Sequence, residues 1–296
     1  MVEKLMTVLK KYYPVILAIL AVCTITGYLF SKKSKSQSEV KANETVHTLE
    51  IESTPTETET LTESEPETVT ETETTTEPET SEPPEEILLE DVPYYSQEDI
   101  LPTGCEIISA KMLLEYYTHE ETEIEDMISV IACQYPKERK GKSYAPHPEN
   151  AFIGSPWDES SFGCFAPVIV RMLNHLLPKN YQAVDTSGTD LQELAETYLP
   201  QGTPVLVWAT IYMWQPFPNV GWYLYNEQGY ATDEWFQWLA NEHCMVLVGY
   251  DETHYYFNDP YDSNGLISFQ RDITEKRYEE IGCYSVVVQE KQEKIK

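Results

Sequence analysis

Residues 39–86 carry sixteen glutamates against the lone lysine Lys41, a net charge of -15, and run as STPTETETLTESEPETVTETETTTEPETSEPPEE through most of their length. Almost nothing in such a stretch is apolar, so no burial offsets the entropy lost on ordering it. Repelling carboxylates and scattered prolines hold it open instead, and about 50 residues stretch to at most roughly 170 Å. The chain is thereby cut in three: a short start over 1–35, a disordered stalk over about 36–87, and whatever folds from 88 to about 292. Roughly 200 residues are enough for one sizeable core, so one domain is expected there.

The charge, divided the same way, excludes one class of function. The 296 residues hold 20 Lys+Arg against 50 Asp+Glu, a net -30. The first 38 residues, with six lysines against Glu3, contribute +5, and with -15 in the spacer the remainder carries -20. A nucleic-acid binder needs a basic footprint, and this chain has the opposite. A body of that sign attracts basic or neutral peptides more than acidic ones, and less so in salt. No Gly-rich loop suggests a nucleotide and no Cys/His cluster has zinc spacing, so no cofactor and no metal are expected.

From Pro14 to Phe30 the chain reads PVILAILAVCTITGYLF, seventeen residues without a charge. At about 1.5 Å per residue this spans roughly 25 Å, near the lower limit for a hydrocarbon core. Tyr12, Tyr13 and Tyr28 lie at its ends and lysines flank both sides, which suits an uncleaved single-pass membrane helix. A cleaved signal peptide is the alternative, and it would make the protein secreted; no clear small-x-small cleavage site favours it. Three lysines on each side leave the orientation undecided by charge. A long polar spacer after a short anchor suits a domain held away from a surface, so the body is expected outside the cytoplasm.

Within that body, Thr103 and Glu106 have the spacing of a capping box, and Ile107, Ala110, Leu114 and Tyr117 follow at helical spacing. This predicts a helix over about 104–117 with Cys105 in its first turn. Further helices are expected at 164–177 and at 190–199, the latter capped by Thr189. The second half reads as strands at 204–210, 243–250, 254–259 and 284–288, with Asp251-Glu252-Thr253 turning the middle two into a hairpin. Helices first and antiparallel strands after them argue an α+β domain.

The chemistry lies in four residues. The unpaired N–H groups and dipole of a helix start lower a thiol's pKa, and Cys105 is so placed. His243 opens one arm of the hairpin and Asp259 closes the other, eight residues from residue 251 on either side, so the two are expected side by side. An imidazole to take the thiol proton and a carboxylate to orient it complete a nucleophilic set, and the side-chain amide of Gln97 supplies an oxyanion donor. Taken singly, each has a plainer reading: a buried structural cysteine, a core histidine, a turn at Asp259-Pro260, and these readings stay open.

Val92-Pro93-Tyr94-Tyr95-Ser96-Gln97, Leu101-Pro102-Thr103-Gly104-Cys105-Glu106, Gly163-Cys164-Phe165-Ala166-Pro167, Glu242-His243-Cys244-Met245-Val246-Leu247-Val248-Gly249-Tyr250-Asp251 and Asn258-Asp259-Pro260 together resemble the stand-alone branch of the bacteriocin-processing, double-glycine cysteine peptidases, peptidase family C thirty-nine. The resemblance covers about residues 90–290. It implies a papain-like fold with Cys105 as nucleophile, His243 as base, Asp259 as its orienter and Gln97 in the oxyanion hole, acting on a peptide or protein substrate at the cell surface. Transporter-fused members cut leader peptides after a double glycine; this chain has no P-loop, so that substrate is not implied. Two alternatives keep the same residues: a non-catalytic peptide-binding module, and an acyl-transferring relative.

Trp208, Trp214 and Trp222 belong to an aromatic-rich stretch ending just before His243, and are read either as a substrate wall beside the cleft or as a packed insertion. Cys133, Cys164, Cys244 and Cys283 allow three disulfide pairings, between which the sequence does not choose.

Overall fold

The computed structural model describes residues 85–291, except 227 and 262–264. The anchor expected over 14–30 and nearly all of the spacer lie outside the described residues, among which no helix is long and apolar enough to cross a membrane.

The first substantial element is α1 (Cys105–Thr118), and every residue from Cys105 to Glu115 on it is buried. A helix apolar on one side alone would lie at a surface; this one is apolar nearly all round and runs through the interior. Two of its three buried acidic and basic residues answer one another, since the Lys111 ammonium bonds Glu115 within the helix and the Thr122 carbonyl at 2.5 Å, and Tyr95 donates to Glu115 Oε2 at 2.5 Å. The helix ends at His119, which turns left-handed at φ 54° and returns its N–H to Glu115. Its start differs from expectation. Thr103 does not cap it, because the hydroxyl donates to the Ser155 and Asp158 carbonyls at 3.3 and 3.1 Å, and Glu106 points into the core. Gly104 takes the N-cap instead, and a Cβ there would sit 2.6 Å from the Leu101 side chain.

The strands in chain order are β1 (Ile87–Leu88), β2 (Cys133–Gln134), β3 (Lys137–Arg139), β4 (Lys142–Ala145), β5 (Phe152–Ile153), β6 (Tyr181–Asp185), β7 (Val205–Thr210), β8 (Phe217–Tyr225), β9 (Ala231–Ala240), β10 (Glu242–Tyr250), β11 (His254–Asn258), β12 (Leu266–Gln270) and β13 (Ser285–Glu290). The further helices are α2 (Ile124–Ser129), α3 (Ala166–Leu176), α4 (Leu191–Tyr198) and α5 (Arg271–Ile281). Asp190, not Thr189, is the residue before α4.

The central sheet runs β12-β11-β10-β7-β13-β6, antiparallel throughout, with β1 paired to the far end of β10. Its middle strands are apolar at consecutive positions because both faces are covered. Leu206, Trp208, Cys244, Val246, Val286 and Val288 pack with α1 and α3, while Val205, Val207, Ala209, Met245, Leu247 and Val287 pack with α4 and α5. The period-2 alternation of a strand thus sorts neighbours into two cores rather than into core and solvent. The result is a mixed α/β arrangement in which the expected antiparallel sheet carries helices on both faces.

A second sheet, β3-β4-β8-β9, is built on the long β8–β9 hairpin. It buries Trp222 and Trp238 against the first core and leaves Phe217, Val220 and Trp235 outward. Trp208 and Trp222, read as either a substrate wall or a packed insertion, are fully enclosed, with their indole N–H groups bonded to the Cys164 carbonyl at 3.0 Å and the Pro146 carbonyl at 3.2 Å. They are core residues; Trp214, 59% exposed, is the one of the three that presents a surface.

Candidate active site

Three segments meet at the N-terminal end of α1. The helix supplies Cys105, the start of β10 supplies His243, and the turn after β11 supplies Asp259. The β10–β11 ladder ends at Val246↔Asn258, after a bulge between Leu247 and Gly249. Asp259 therefore lies one residue past the ladder, and its side chain reaches onward, away from the ladder, to His243. The result is His243 Nε2 at 2.6 Å from Asp259 Oδ1, with both side chains all but closed to solvent. Asp259 Oδ1 also accepts the Tyr261 N–H at 2.8 Å, so the carboxylate is fixed on both sides. With Nε2 committed to Asp259, Nδ1 is the ring nitrogen left for other chemistry.

Gln97 is tied to the same turn, its backbone N–H donating to the Pro260 carbonyl at 2.8 Å. Its side-chain Nε2 lies 3.4 Å from both the Leu101 and Pro102 carbonyls, and Oε1 is buried without a partner. Long bonds of this kind leave the amide weakly held.

Cys105 has a different environment from the one a helix start suggests. Its thiol donates to Glu106 Oε2 at 3.3 Å, and among the described residues its side-chain hydrogen bond goes there and not to the imidazole. Glu106 is fully buried, and Oε1 accepts the Cys164 backbone N–H at 2.7 Å. Burial pushes the Glu106 carboxyl up to about 7, against the opposing effects of that N–H and of His243. Burial, then the carboxylates of Glu106 and Glu242, push the Cys105 thiol well above its ordinary value, while the Cys244 backbone N–H works the other way. Expectation had the helix dipole lowering this thiol, and burial, joined by the acids beside it, overrides that.

Room for Glu106 depends on Gly163. A Cβ there would sit 2.2 Å from Glu106 Oε1, and the backbone has φ +153°. Cys164 and Cys244 lie buried close by, and with Cys133 and Cys283 they are free thiols, so none of the three pairings considered is formed. Among the described residues no group of three or more His, Cys, Asp and Glu side chains is placed to hold a metal ion.

Sequence reasoning missed Glu106, Glu242 and Tyr261. Glu106 had been assigned to a cap, although an acid beside a cysteine on an otherwise apolar helix was a signal in itself. The Tyr261 ring stands edge-on to the His243 imidazole at 5.9 Å, Tyr212 lies 6.1 Å beyond it and Trp214 5.4 Å beyond that. This row of rings leads from the buried imidazole to solvent. It passes through Tyr212 and Met213, both left-handed at φ 50° and 55°, and the Arg277 Nε–H holds the Met213 carbonyl at 2.9 Å. Such backbone conformations are costly in non-glycine residues and cluster at functional sites.

The Peptidase_C39 like family matches residues 89–286 of the chain. The uncharacterized protein YvpB of Bacillus subtilis (strain 168) is 27% identical over 208 residues, covering 67% of this chain and 75% of YvpB. Among solved structures, a candidate C39-like peptidase from Bacillus anthracis superposes with a TM-score of 0.60 at 24% identity, over 71% of this chain and all of that one. A double glycine motif protease from an AMS/PCAT transporter, solved with its leader peptide, gives a TM-score of 0.38 at 12% identity over 68% of this chain and 92% of its own.

Proposed function

The chain belongs to the Peptidase_C39 like family, and we propose on that premise that it is a cysteine peptidase with Cys105 as nucleophile, His243 as general base and acid, and Asp259 as orienter. The observation that carries the reading is the buried 2.6 Å bond between His243 Nε2 and Asp259 Oδ1 at the N-terminal end of the helix that bears Cys105. A carboxylate on Nε2 fixes the tautomer and plane of the ring and steadies the imidazolium once a proton arrives at Nδ1. The thiolate then adds to the amide carbonyl, and the Cys105 backbone N–H and the Gln97 amide steady the oxyanion. His243 returns the proton to the leaving amine, and water releases the acyl group from the sulfur.

Two features shape the approach to this centre. The thiol is buried and bonded to Glu106, so attack begins with the sulfur turning from the carboxyl toward the imidazole. The exposed rings of Tyr212, Trp214 and Tyr261, steeply inclined to one another, form an apolar flank beside His243 against which a peptide can lie. From the sequence we further propose that the apolar run at 14–30 is a membrane anchor and the Thr/Glu stretch a spacer, with the domain outside the cytoplasm.

The test is to treat the full chain with a thiol-directed electrophile and an internally quenched peptide library, and to locate the label by peptide mapping. Cleavage, with label on Cys105, is expected, and both are lost in Cys105→Ala while the circular dichroism spectrum is unchanged. Cleavage that persists in Cys105→Ala would remove Cys105 from the nucleophile's role.

A further inference from the structure

Next to the start of β10 lies a cavity of about 100 Å³ whose lining includes Phe165, Phe236, Trp238, Tyr284 and Glu242. Its walls are mostly rings. Phe165 stacks on Tyr284 at 4.2 Å and on Trp238 at 5.6 Å, and Phe236 meets both Phe165 and Trp238 at 6.4 Å. The acid among them is Glu242, whose Oε1 is shut off from solvent and has no hydrogen-bond partner. The neighbouring donors are engaged elsewhere. The Tyr284 hydroxyl donates to Glu149 Oε1 at 2.8 Å, and Gln237 Nε2 donates to the Asn219, Val220 and Trp238 carbonyls.

Glu242 as a whole is half-buried, but a carboxylate oxygen closed off from water without a donor is costly to keep. The faces of aromatic rings carry negative potential and attract ammonium and guanidinium groups. A box of four rings with an unpartnered acid in its wall therefore has the chemistry of a cation site. Size agrees, because at roughly 10–15 Å³ per water-sized group the cavity admits the end of a basic side chain. Burial, together with the nearby Glu106, pushes the Glu242 carboxyl well above its ordinary range, as befits an acid that lacks a counter-charge. The net -20 of the body outside the anchor and spacer favours the approach of such a ligand.

We propose that this cavity is a side-chain pocket for a lysine or arginine of the peptide substrate, with Glu242 as counter-ion and Phe165, Phe236, Trp238 and Tyr284 as walls. The proposal rests on the peptidase reading and gives it a substrate class. Glu242 directly precedes His243 in the strand, and its charge is felt at the Cys105 sulfur. A basic side chain seated here therefore belongs to a residue within one or two positions of the bond that is cut.

Two measurements on the full chain separate the pocket from the peptidase reading. In the first, quenched peptides differing at one position near the cut, with Lys, Arg, norleucine or Glu, are compared between the wild type and Glu242→Gln. Lys and Arg are expected to exceed norleucine at least tenfold in kcat/KM in the wild type and to lose most of that advantage in the variant, the ratio to norleucine being taken within each protein so that any common effect on Cys105 cancels. A preference that is absent, or that survives Glu242→Gln, overturns the pocket. In the second, tryptophan fluorescence is titrated with n-butylammonium and with butan-1-ol, which needs no turnover. Saturable quenching by the cation alone, lost in Glu242→Gln, supports the pocket, and no response overturns it. If no peptide is cut at all, the peptidase reading falls and the fluorescence titration still decides the cavity.

Discussion

Replacing Glu106 by Gln is expected to lower the pH at which the Cys105 thiol ionises by about two units. The side chain keeps its shape and an oxygen able to accept from the Cys164 N–H, so the change is confined to charge. The Cys105 sulfur lies 3.3 Å from Glu106 Oε2. At an effective dielectric constant of about 20, half a unit charge on that oxygen opposes a thiolate by about 2.5 kcal/mol. At about 1.4 kcal/mol per pKa unit this is roughly two units, and the farther oxygen adds to it. The assay is the pH dependence of iodoacetamide alkylation at Cys105, with the rate in Cys105→Ala subtracted to remove the other cysteines. Because Glu106 itself is pushed up to about 7, chiefly by burial, the contrast is read above that pH, where the wild-type carboxylate is charged. A midpoint in Glu106→Gln within half a unit of the wild type would show that the carboxylate does not govern the thiol. The same variant has a stability signature. The folded chain holds the Glu106 proton up to about 7, whereas an unfolded chain releases it near 4.5. Between these values the folded state binds more protons, so stability falls as pH rises, by about 3 kcal/mol in all. Urea midpoints at either end of that window should differ less in Glu106→Gln than in the wild type.

Three further substitutions probe the supports of the site. Asp259→Ala removes the carboxylate bonded to a nearly closed-off imidazole, and kcat/KM for any cleaved peptide is expected to fall roughly a hundredfold or more, with Asp259→Asn recovering part of it. Gly163→Ala forces a Cβ to within 2.2 Å of Glu106 Oε1 at φ +153°, and urea denaturation should show a loss of about 2–4 kcal/mol, partly relieved when Glu106 is also shortened to Ala. Lys111→Met leaves the Glu115 carboxylate buried without its ammonium partner and is expected to cost about 3–5 kcal/mol by the same measurement. Adding Glu115→Leu should return much of that.

The helices and strands around the centre were legible because their periodicity survives burial. Positions 107, 110, 114 and 117 mark α1, and the valine-rich runs mark β7, β10 and β13, each found within a residue or two of expectation. The hairpin brought His243 to Asp259 by a route that symmetry about residue 251 does not describe. A bulge shifts the ladder, and the carboxylate makes the contact from just beyond its end. Burial on both faces of the sheet is written in runs such as Val205–Thr210, apolar at consecutive positions where a half-solvated strand would alternate, although no expectation rested on it. The tryptophans mark a limit. Trp208 and Trp222 are as aromatic as Trp214, and only the paths of the β7 and β8 strands turn the first two inward.

Glu106 illustrates why a correct local argument about Cys105 led to the wrong sign. A helix start favours a nearby anion by about 0.3–1 kcal/mol where solvent reaches it, and up to about 2 kcal/mol when partly buried. Full burial of a titratable group shifts its pKa by as much as 3–5 units, and a carboxylate in contact adds roughly two more. The smaller effect was visible in the sequence because it depends on position in a helix; the larger one depends on which way the next side chain turns. That direction is set by Gly163 and the Cys164 N–H, 58 residues away in the chain. A thiol held in this way stays protonated until the Glu106 charge is neutralised or the sulfur swings away from it. The same carboxyl that opposes the thiolate is itself opposed by burial, so near its own midpoint of about 7 a modest gain of positive charge beside it is enough to change the balance. If, as proposed, the thiol gives its proton to His243, the resulting imidazolium would be a charge of that sign close to Glu106.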